Sequence, residues 1–192
     1  MGQYYKPIVL DDFKKSQPKA FIYSHDYDNG LKLMEHSWLG NNFVNVVETL
    51  LTKGNDWYKK PIVWAGDYAE PEKGCKTNLY GRCNESNNIK PIVKMLPKRF
   101  KYVVNHDTKQ FVDKTKVPVS DVYTWTDEKT GKKKSRDYII HPLPLLTCEG
   151  NGQGGGDFRG ENPLIGTWSR NRISIESSKP KGYSELIFDL KE

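Results

Sequence analysis

The sequence is poor in cysteine and has no long apolar run. Its 192 residues contain only Cys75, Cys83 and Cys148, an odd number that favours free thiols over a disulfide framework. No apolar stretch approaches the roughly 20 residues that a membrane-spanning helix needs. The segment Met1–Leu10 is polar and aromatic, unlike the apolar centre of a signal peptide. These absences predict a cytoplasmic protein without a membrane partner.

Metal-binding spacings are also missing. Cys75 and Cys83 do not form a C-x-x-C pair, and none of the four histidines stands in an H-E-x-x-H arrangement. Structural and catalytic zinc sites depend on such spacings, because they place several ligands around one ion. We therefore predict neither a metal site nor a bound cofactor.

The composition is that of a folded domain with a polar surface. Hydrophobic residues make up 36% of the chain and the mean hydropathy is −0.75, but aromatic residues reach 12%. Disordered chains are poor in aromatics, which argues against disorder. The net charge of +6 favours an acidic partner such as nucleic acid, a nucleotide or an acidic protein. Scattered lysines of this kind are also typical of an ordinary solvated surface.

Short β-rich runs separated by turn residues predict an α+β fold. We expect an antiparallel-dominated sheet of about eight to ten strands in a single domain over residues 1–192. One main amphipathic helix is predicted at about 42–53, because its apolar residues recur at helical spacing. These residues are Phe43, Val46, Val47, Leu50 and Leu51. A polar segment at about 70–88 is predicted to be a loop excursion.

The most unusual stretch is Gly150–Gly160, in which six of eleven residues are glycine. It matches G-x-G-x-x-G, but Pro142 and Pro144 precede it and no amphipathic run follows, so the dinucleotide-binding geometry is excluded. The lack of a following Lys-Ser/Thr pair excludes a P-loop. Backbone N–H groups in such a turn can still form an anion-binding nest. The predicted ligand-binding residues are Gly152, Gly154, Gly155, Gly156, Arg159, Trp168 and Arg170. Alternatively, the glycines serve only to pass the chain closely by Trp168.

A catalytic alternative rests on histidine and aspartate near the ends of predicted strands. Histidine titrates near neutral pH and is therefore suited to general acid–base catalysis. If the protein is an enzyme, the candidates are His141, Asp157, Asp67 and His25. They would serve a small hydrolase or nuclease that acts on a phosphate-containing substrate.

The densest basic patch lies at the tip of a predicted hairpin between Asp121–Thr126 and Ser135–Ile140. Such a hairpin can lie against the phosphates of a nucleic acid, and Tyr123, Trp125 and Tyr138 are candidates for stacking on bases. The predicted nucleic-acid contacts are Lys132, Lys133, Lys134 and Arg136. The alternative is a solvated hairpin whose aromatic side chains pair with each other across the strands.

Four stretches carry a family resemblance: Met1–Pro7, Tyr23–Trp38, Val63–Tyr68 and the glycine-rich segment. In these the chain resembles proteins encoded by phages, plasmids and other mobile elements of Firmicutes-type bacteria. The resemblance implies a location in the host-cell cytoplasm. It also makes a host defence component, a nucleic acid or a nucleotide signal a more plausible partner, but it implies no catalytic residues.

Together these observations favour a non-enzymatic binding protein of a mobile element. It is predicted to engage a nucleotide-like or other anionic ligand, or a host protein or nucleic acid, through the glycine-rich segment. The hydrolase or nuclease is the first alternative. The second is a structural or interaction domain that binds no small ligand.

Overall fold

The structure is a computed structural model, and it describes residues 2–92, 96–150 and 162–190. Within these ranges, ten strands form an eight-stranded sheet and a separate two-stranded sheet. This confirms the predicted α+β class and its antiparallel character. No helix in these ranges is long and apolar enough to cross a membrane.

The strands and helices are numbered here in chain order. They are β1 (Tyr5–Leu10), β2 (Pro18–Phe21), α1 (Leu33–His36), α2 (Asn42–Leu50), β3 (Lys60–Gly66), β4 (Tyr102–Asn105), β5 (Gln110–Asp113), β6 (Asp121–Thr126), β7 (Lys133–Tyr138), α3 (Pro142–Thr147), β8 (Cys148–Glu149), β9 (Asn171–Glu176) and β10 (Ser184–Glu185). Three short 3₁₀ helices lie at Ser24–Tyr27, Glu85–Asn87 and Lys114–Lys116.

The large sheet has the strand order β10-β5-β4-β9-β3-β1-β2, and β8 also pairs with β3. Most neighbours are antiparallel, but β10 runs parallel to β5 and β8 runs parallel to β3. The parallel pairing places Glu149 beside Ala65, where both β3 and β8 end. Gly150, the first residue of the glycine-rich segment, therefore follows β8 beside the carboxyl end of β3.

Helix α2 follows the apolar periodicity of the sequence. Its N-cap is Asn41, whose side-chain oxygen accepts a hydrogen bond from the Val44 N–H at 3.2 Å. This bond satisfies one of the amide groups that the first turn leaves free. The apolar face joins the main core with side chains of β3, β4 and β9. The helix ends at Leu50 rather than at residue 53, and turns follow as far as Gly54, which has a φ of +92°.

Helix α3 was not expected from the sequence, because two of its six residues are proline. Pro142 occupies the first turn, where a missing N–H costs nothing and the fixed φ suits a helix. The ring nitrogen Nδ1 of His141 caps the helix by accepting the Leu143 N–H at 3.1 Å. All six residues of the helix are buried.

The predicted excursion at 70–88 contains no strand, and its one regular element is the 3₁₀ turn at Glu85–Asn87. It covers the second face of the sheet, where Leu79 is buried against Ile8 and Val63. The guanidinium of Arg82 ties it to the β1–β2 connection by donating to the Ser16 carbonyl at 2.6 Å.

Strands β6 and β7 form a hairpin that pairs with neither edge of the large sheet. All of β6, and all of β7 except the partly buried Tyr138, is exposed. The base of the hairpin is attached to the segment before α2. There the Leu39 N–H donates to the Ile139 carbonyl at 2.9 Å, and the Tyr138 hydroxyl donates to the Met34 carbonyl at 3.3 Å.

Candidate functional site

The register of the hairpin collects its aromatic and basic side chains on one face. Tyr123 lies opposite Arg136, and Trp125 lies opposite Lys134. Directly opposed residues of an antiparallel pair share a face, and so do alternate residues of one strand. Tyr138, opposite Asp121, lies on the same side. We call this surface the aromatic face: Asp121, Tyr123, Trp125, Lys134, Arg136 and Tyr138.

Two rings of the aromatic face are stacked and open to solvent. The Tyr123 and Trp125 ring centroids are 5.8 Å apart, with an interplanar angle of 25°. Tyr123 is 65% exposed and Trp125 is 37% exposed. Aromatic side chains bury large areas when they have a core to enter. No core lies beneath these two rings, since every residue of β6 is exposed.

The tip of the hairpin is organised by Asp127. Its Oδ1 accepts the backbone N–H groups of Lys129 and Thr130 at 3.2 and 2.8 Å, and its Oδ2 pairs with Lys134. The hydrogen bond from Lys134 holds the pKa of Asp127 below its usual value. Gly131 has a φ of +65°, a conformation that favours glycine at this turn.

The tip is basic on balance. Four lysines between residues 127 and 134 stand against Asp127 and Glu128, which leaves a net charge of +2. Lys134 is paired with Asp127, but Lys129, Lys132 and Lys133 form no ion pair with any residue that the structure describes. These three lysines therefore lie at the tip of the hairpin, beyond the outer end of the aromatic face, and Lys133, opposite Thr126, belongs to the other face.

A groove of about 480 Å³ lies at the base of the hairpin, and we call it the root groove. Three rings line it, those of Trp38, Tyr123 and Tyr138, and the Trp38 and Tyr138 centroids are 6.1 Å apart. The remaining lining residues are Asp121, Arg136 and Asp137. Arg136 Nη2 donates to the Leu39 carbonyl at 3.2 Å, which fixes the guanidinium at the groove. Trp38, Asp121 and Asp137 were not predicted as site residues, although the alternation of β6 could have indicated Asp121.

Most of the predicted glycine-rich site lies outside the described residues. This applies to Gly152, Gly154, Gly155, Gly156 and Arg159, and also to the catalytic candidate Asp157. Two members are described. The side chain of Trp168 is only 1% exposed and belongs to the main core. The backbone N–H of Trp168 donates to the Leu146 carbonyl at 2.7 Å.

Arg170 is the second described member, and two carboxylates already hold its guanidinium. Glu149 accepts from Nε at 2.8 Å and from Nη2 at 2.5 Å, and Glu72 accepts from Nη1 at 3.1 Å. Burial opposes the charge of the guanidinium, but Glu149 and Glu72 together raise the pKa of Arg170 above its usual value. Two carboxylates against one cation give this cluster a net negative charge, which disfavours an anionic ligand.

The side chain of Gln3 lies beside Gly150, where the glycine-rich segment begins, and no pattern in the sequence indicated this contact. Its Oε1 accepts from the Tyr5 hydroxyl at 2.8 Å, but its buried Nε2 has no hydrogen-bond partner. A Cβ atom on Gly150 would lie 2.3 Å from that Nε2, and one on Gly66 would lie 2.6 Å from it. A Cβ atom at Gly66 would also lie 2.9 Å from the Glu149 carbonyl oxygen, so that position favours glycine, whereas at Gly150 the Gln3 side chain would have to move. A buried donor without a partner costs about 1–3 kcal/mol.

His141, the first catalytic candidate, has a structural position. Its Nδ1 caps α3, its Nε2 lies 3.1 Å from Glu48 Oε1, and the ring is 1% exposed. Lys114 pairs with the same carboxylate. Burial lowers the pKa of His141, whereas Lys114 and His141 outweigh burial at Glu48 and lower its pKa to about 2. A buried ring whose Nδ1 caps a helix and whose Nε2 faces a buried carboxylate does not present a base to a substrate.

The other two described candidates lie elsewhere. Asp67 follows β3, and its Oδ1 accepts the Tyr4 N–H at 2.9 Å. His25 lies in the first 3₁₀ helix, with its ring centroid 5.2 Å from that of Tyr23. Within the described ranges, no hydrogen bond or ion pair joins His25, Asp67 or His141 to another of the three. The same ranges contain no group of three or more His, Cys, Asp or Glu side chains that could hold a metal ion.

Comparison of the chain with protein-family models, with curated proteins and with solved structures finds no match.

Proposed function

We propose that this protein binds single-stranded nucleic acid through the β6–β7 hairpin. One observation carries the proposal: the strand register places Tyr123, Trp125 and Tyr138 on one face with Lys134 and Arg136. Proteins that bind single strands combine aromatic side chains, on which bases stack, with cations that contact the phosphates. The aromatic face supplies both groups on one exposed surface.

The open rings supply most of the expected binding energy. Stacking of a base on an aromatic side chain contributes about 1–3 kcal/mol. Tyr123 is the more exposed of the stacked pair, so a base can add to the stack from its outer side. A base inside a duplex is already stacked on its neighbours and does not offer its flat face. Unpaired strands are therefore the expected ligand.

The lysines favour a nucleic acid over a protein partner. Lysine is depleted at protein–protein interfaces, whereas Tyr, Trp and Arg are enriched there. Aromatic residues alone would fit either partner. The exposed Lys129, Lys132 and Lys133, which have no ion pair among the described residues, are suited to phosphate contacts. The net charge of +6 over the whole chain acts in the same direction.

The proposal keeps the expected class, a binding protein, and moves its site from the glycine-rich segment to the hairpin. The acidic surroundings of Arg170 and the buried positions of Trp168 and His141 give less support to an anion site or a hydrolase. The resemblance to mobile-element proteins agrees with a nucleic-acid ligand in the host cytoplasm. It remains the basis for expecting a role against host defence.

The proposal is tested by fluorescence anisotropy with labelled 12-nucleotide strands of DNA and RNA. A Tyr123→Ala/Trp125→Ala variant should bind at least tenfold more weakly, because a lost stack is worth about 1–3 kcal/mol. Thr124→Ala is the matched control, since Thr124 lies on the opposite face of the same strand. It should bind like the unchanged protein.

Salt dependence tests the phosphate contacts separately. Lys132→Gln/Lys133→Gln should reduce the slope of log K against log salt by about 1.4, because each of the two phosphate contacts to a single strand contributes about 0.7. The proposal is wrong if the unchanged protein binds neither strand, or if the double aromatic variant binds as well as Thr124→Ala. In that case a protein partner becomes the better explanation of the aromatic face.

A further inference from the structure

We infer that the root groove is a base-selective pocket that accepts guanine. The inference rests on the proposed function, because it concerns the strand that the aromatic face would bind. The groove joins the aromatic face directly, since Tyr123 and Arg136 belong to both. A base held there would continue the path of a strand that begins at the tip.

The charged groups of the root groove are free to contact a ligand. Elsewhere in the described chain, twelve ion pairs join a lysine or arginine to a carboxylate. Asp121, Arg136 and Asp137 take part in none of them, although all three line one groove. The Asp121 Oδ1 accepts only the adjacent Val122 N–H, at 2.7 Å. The carboxylate of Asp121 and the N–H groups of Arg136 that do not contact the Leu39 carbonyl thus remain available on the aromatic face. Asp137 lies opposite Val122, so its side chain belongs to the other face of the hairpin.

This set of groups matches the edges of guanine. A single carboxylate can accept both N1–H and N2–H of guanine in two parallel hydrogen bonds, as it does from an arginine fork. The guanidinium of Arg136 is of the type that donates to guanine O6 and N7. Adenine and cytosine offer a carboxylate only one amino group beside an acceptor nitrogen. Thymine and uracil offer one N–H between two carbonyl oxygens, which a carboxylate repels.

The distribution of charge sets the direction of the bound strand. On the aromatic face, the root groove carries no net charge, since Asp121 and Arg136 offset each other, whereas the tip carries +2. Phosphates should therefore lie towards the tip, with a base edge in the groove. The rings of Trp38, Tyr123 and Tyr138 provide flat apolar walls, and a volume of about 480 Å³ is ample for one base.

The experiment uses four DNA strands of eleven nucleotides, all thymine except for the central position, which is G, A, C or T. A single guanine avoids quadruplex formation. The strand with G should bind about tenfold more tightly than the others, within the range of one bidentate base contact. Asp121→Asn and Asp137→Asn are measured against Glu70→Gln, a carboxylate change at an exposed loop position. At least one Asp→Asn variant should lose the preference while it still binds the all-thymine strand.

Each outcome decides the inference. Equal binding of all four strands overturns guanine selection and leaves the proposed function standing. Binding of none of them refutes the proposed function itself. If both Asp→Asn variants keep the preference, the root groove is not its source. If they weaken all four strands by the same factor, these carboxylates only position the hairpin.

Discussion

Protonation of His36 should make the fold less stable in acid. The ring is completely buried beside α2, and the Trp64 Nε1–H donates to its Nε2 at 3.0 Å. Nε2 must therefore be an acceptor, which assigns the proton to Nδ1, 3.1 Å from the Gly30 carbonyl. A second proton, on Nε2, would face the indole N–H and break this bond.

The structure gives the size of the effect. Burial lowers the pKa of His36 from 6.5 to about 4. Because the folded-state pKa lies below the unfolded one, the unfolded chain binds more protons in this range, and stability rises with pH. The contribution is fully present above pH 6.5 and is lost as the pH falls towards 4. At about 1.4 kcal/mol per pKa unit, the free energy of unfolding should fall by about 3 kcal/mol.

Chemical denaturation at intervals between pH 7.5 and pH 4 measures this loss, with His36→Phe for comparison. The variant keeps a ring of similar size but cannot titrate, so it should be less stable at pH 7.5 and show a shallower pH dependence. Burial also lowers the pKa values of His106 and His141, and the comparison cancels their contributions. Equal pH slopes for the two proteins would refute the assignment of the proton-linked loss to His36.

Three other substitutions test the packing and the helix cap. Glu48→Gln should lower the free energy of unfolding by about 3–5 kcal/mol, because it leaves Lys114 buried without its counter-charge; denaturant titration measures this loss. Asn41→Ala should lower the free energy of unfolding by about 1 kcal/mol, because α2 loses its N-terminal cap. A lower thermal midpoint would show this loss. Gly66→Ala should lower the free energy of unfolding by about 1–3 kcal/mol, because the new methyl group would crowd the Gln3 carboxamide. Denaturant titration measures this loss.

These predictions have matched controls at the surface. Glu185→Gln removes the carboxylate of an exposed pair with Lys116 and should change stability by less than about 1 kcal/mol. If Glu48→Gln lowers the free energy of unfolding by no more than Glu185→Gln does, the buried pair is not important for stability. Asn41→Ser should retain most of the cap, since serine is also a good N-cap residue. An Asn41→Ala variant as stable as the unchanged protein would contradict the capping role.

Local patterns in the sequence were enough to predict the parts of the fold that depend on neighbours in the chain. The apolar spacing from Phe43 to Leu51 predicts α2, and Asn41, directly before it, is of a residue type that caps helices. The β-rich run at Asp121–Thr126 forms β6, although β7 begins at Lys133 rather than at residue 135. In each case the interactions that decide the structure lie within a few residues of one another.

The remaining features depend on contacts between distant residues. The parallel pairing of β8 with β3 joins Cys148 to Trp64, and no local pattern indicates it. His141 has the residue type of a catalyst, but its cap on α3 and its pair with Glu48 become evident only in three dimensions. The root groove was missed for the same reason. Trp38 comes from the segment before α2, far in sequence from Asp121 and Asp137.

The central claim is tested most directly by the five tryptophan indole N–H signals in an NMR titration with a single-stranded DNA that contains one guanine. Trp125 lies on the aromatic face and Trp38 in the root groove, whereas Trp57, Trp64 and Trp168 are buried in the core. Binding at the hairpin should shift the Trp125 and Trp38 signals and leave the three buried ones in place. A strand that binds without moving the Trp125 signal, or that moves Trp168 instead, would contradict the account.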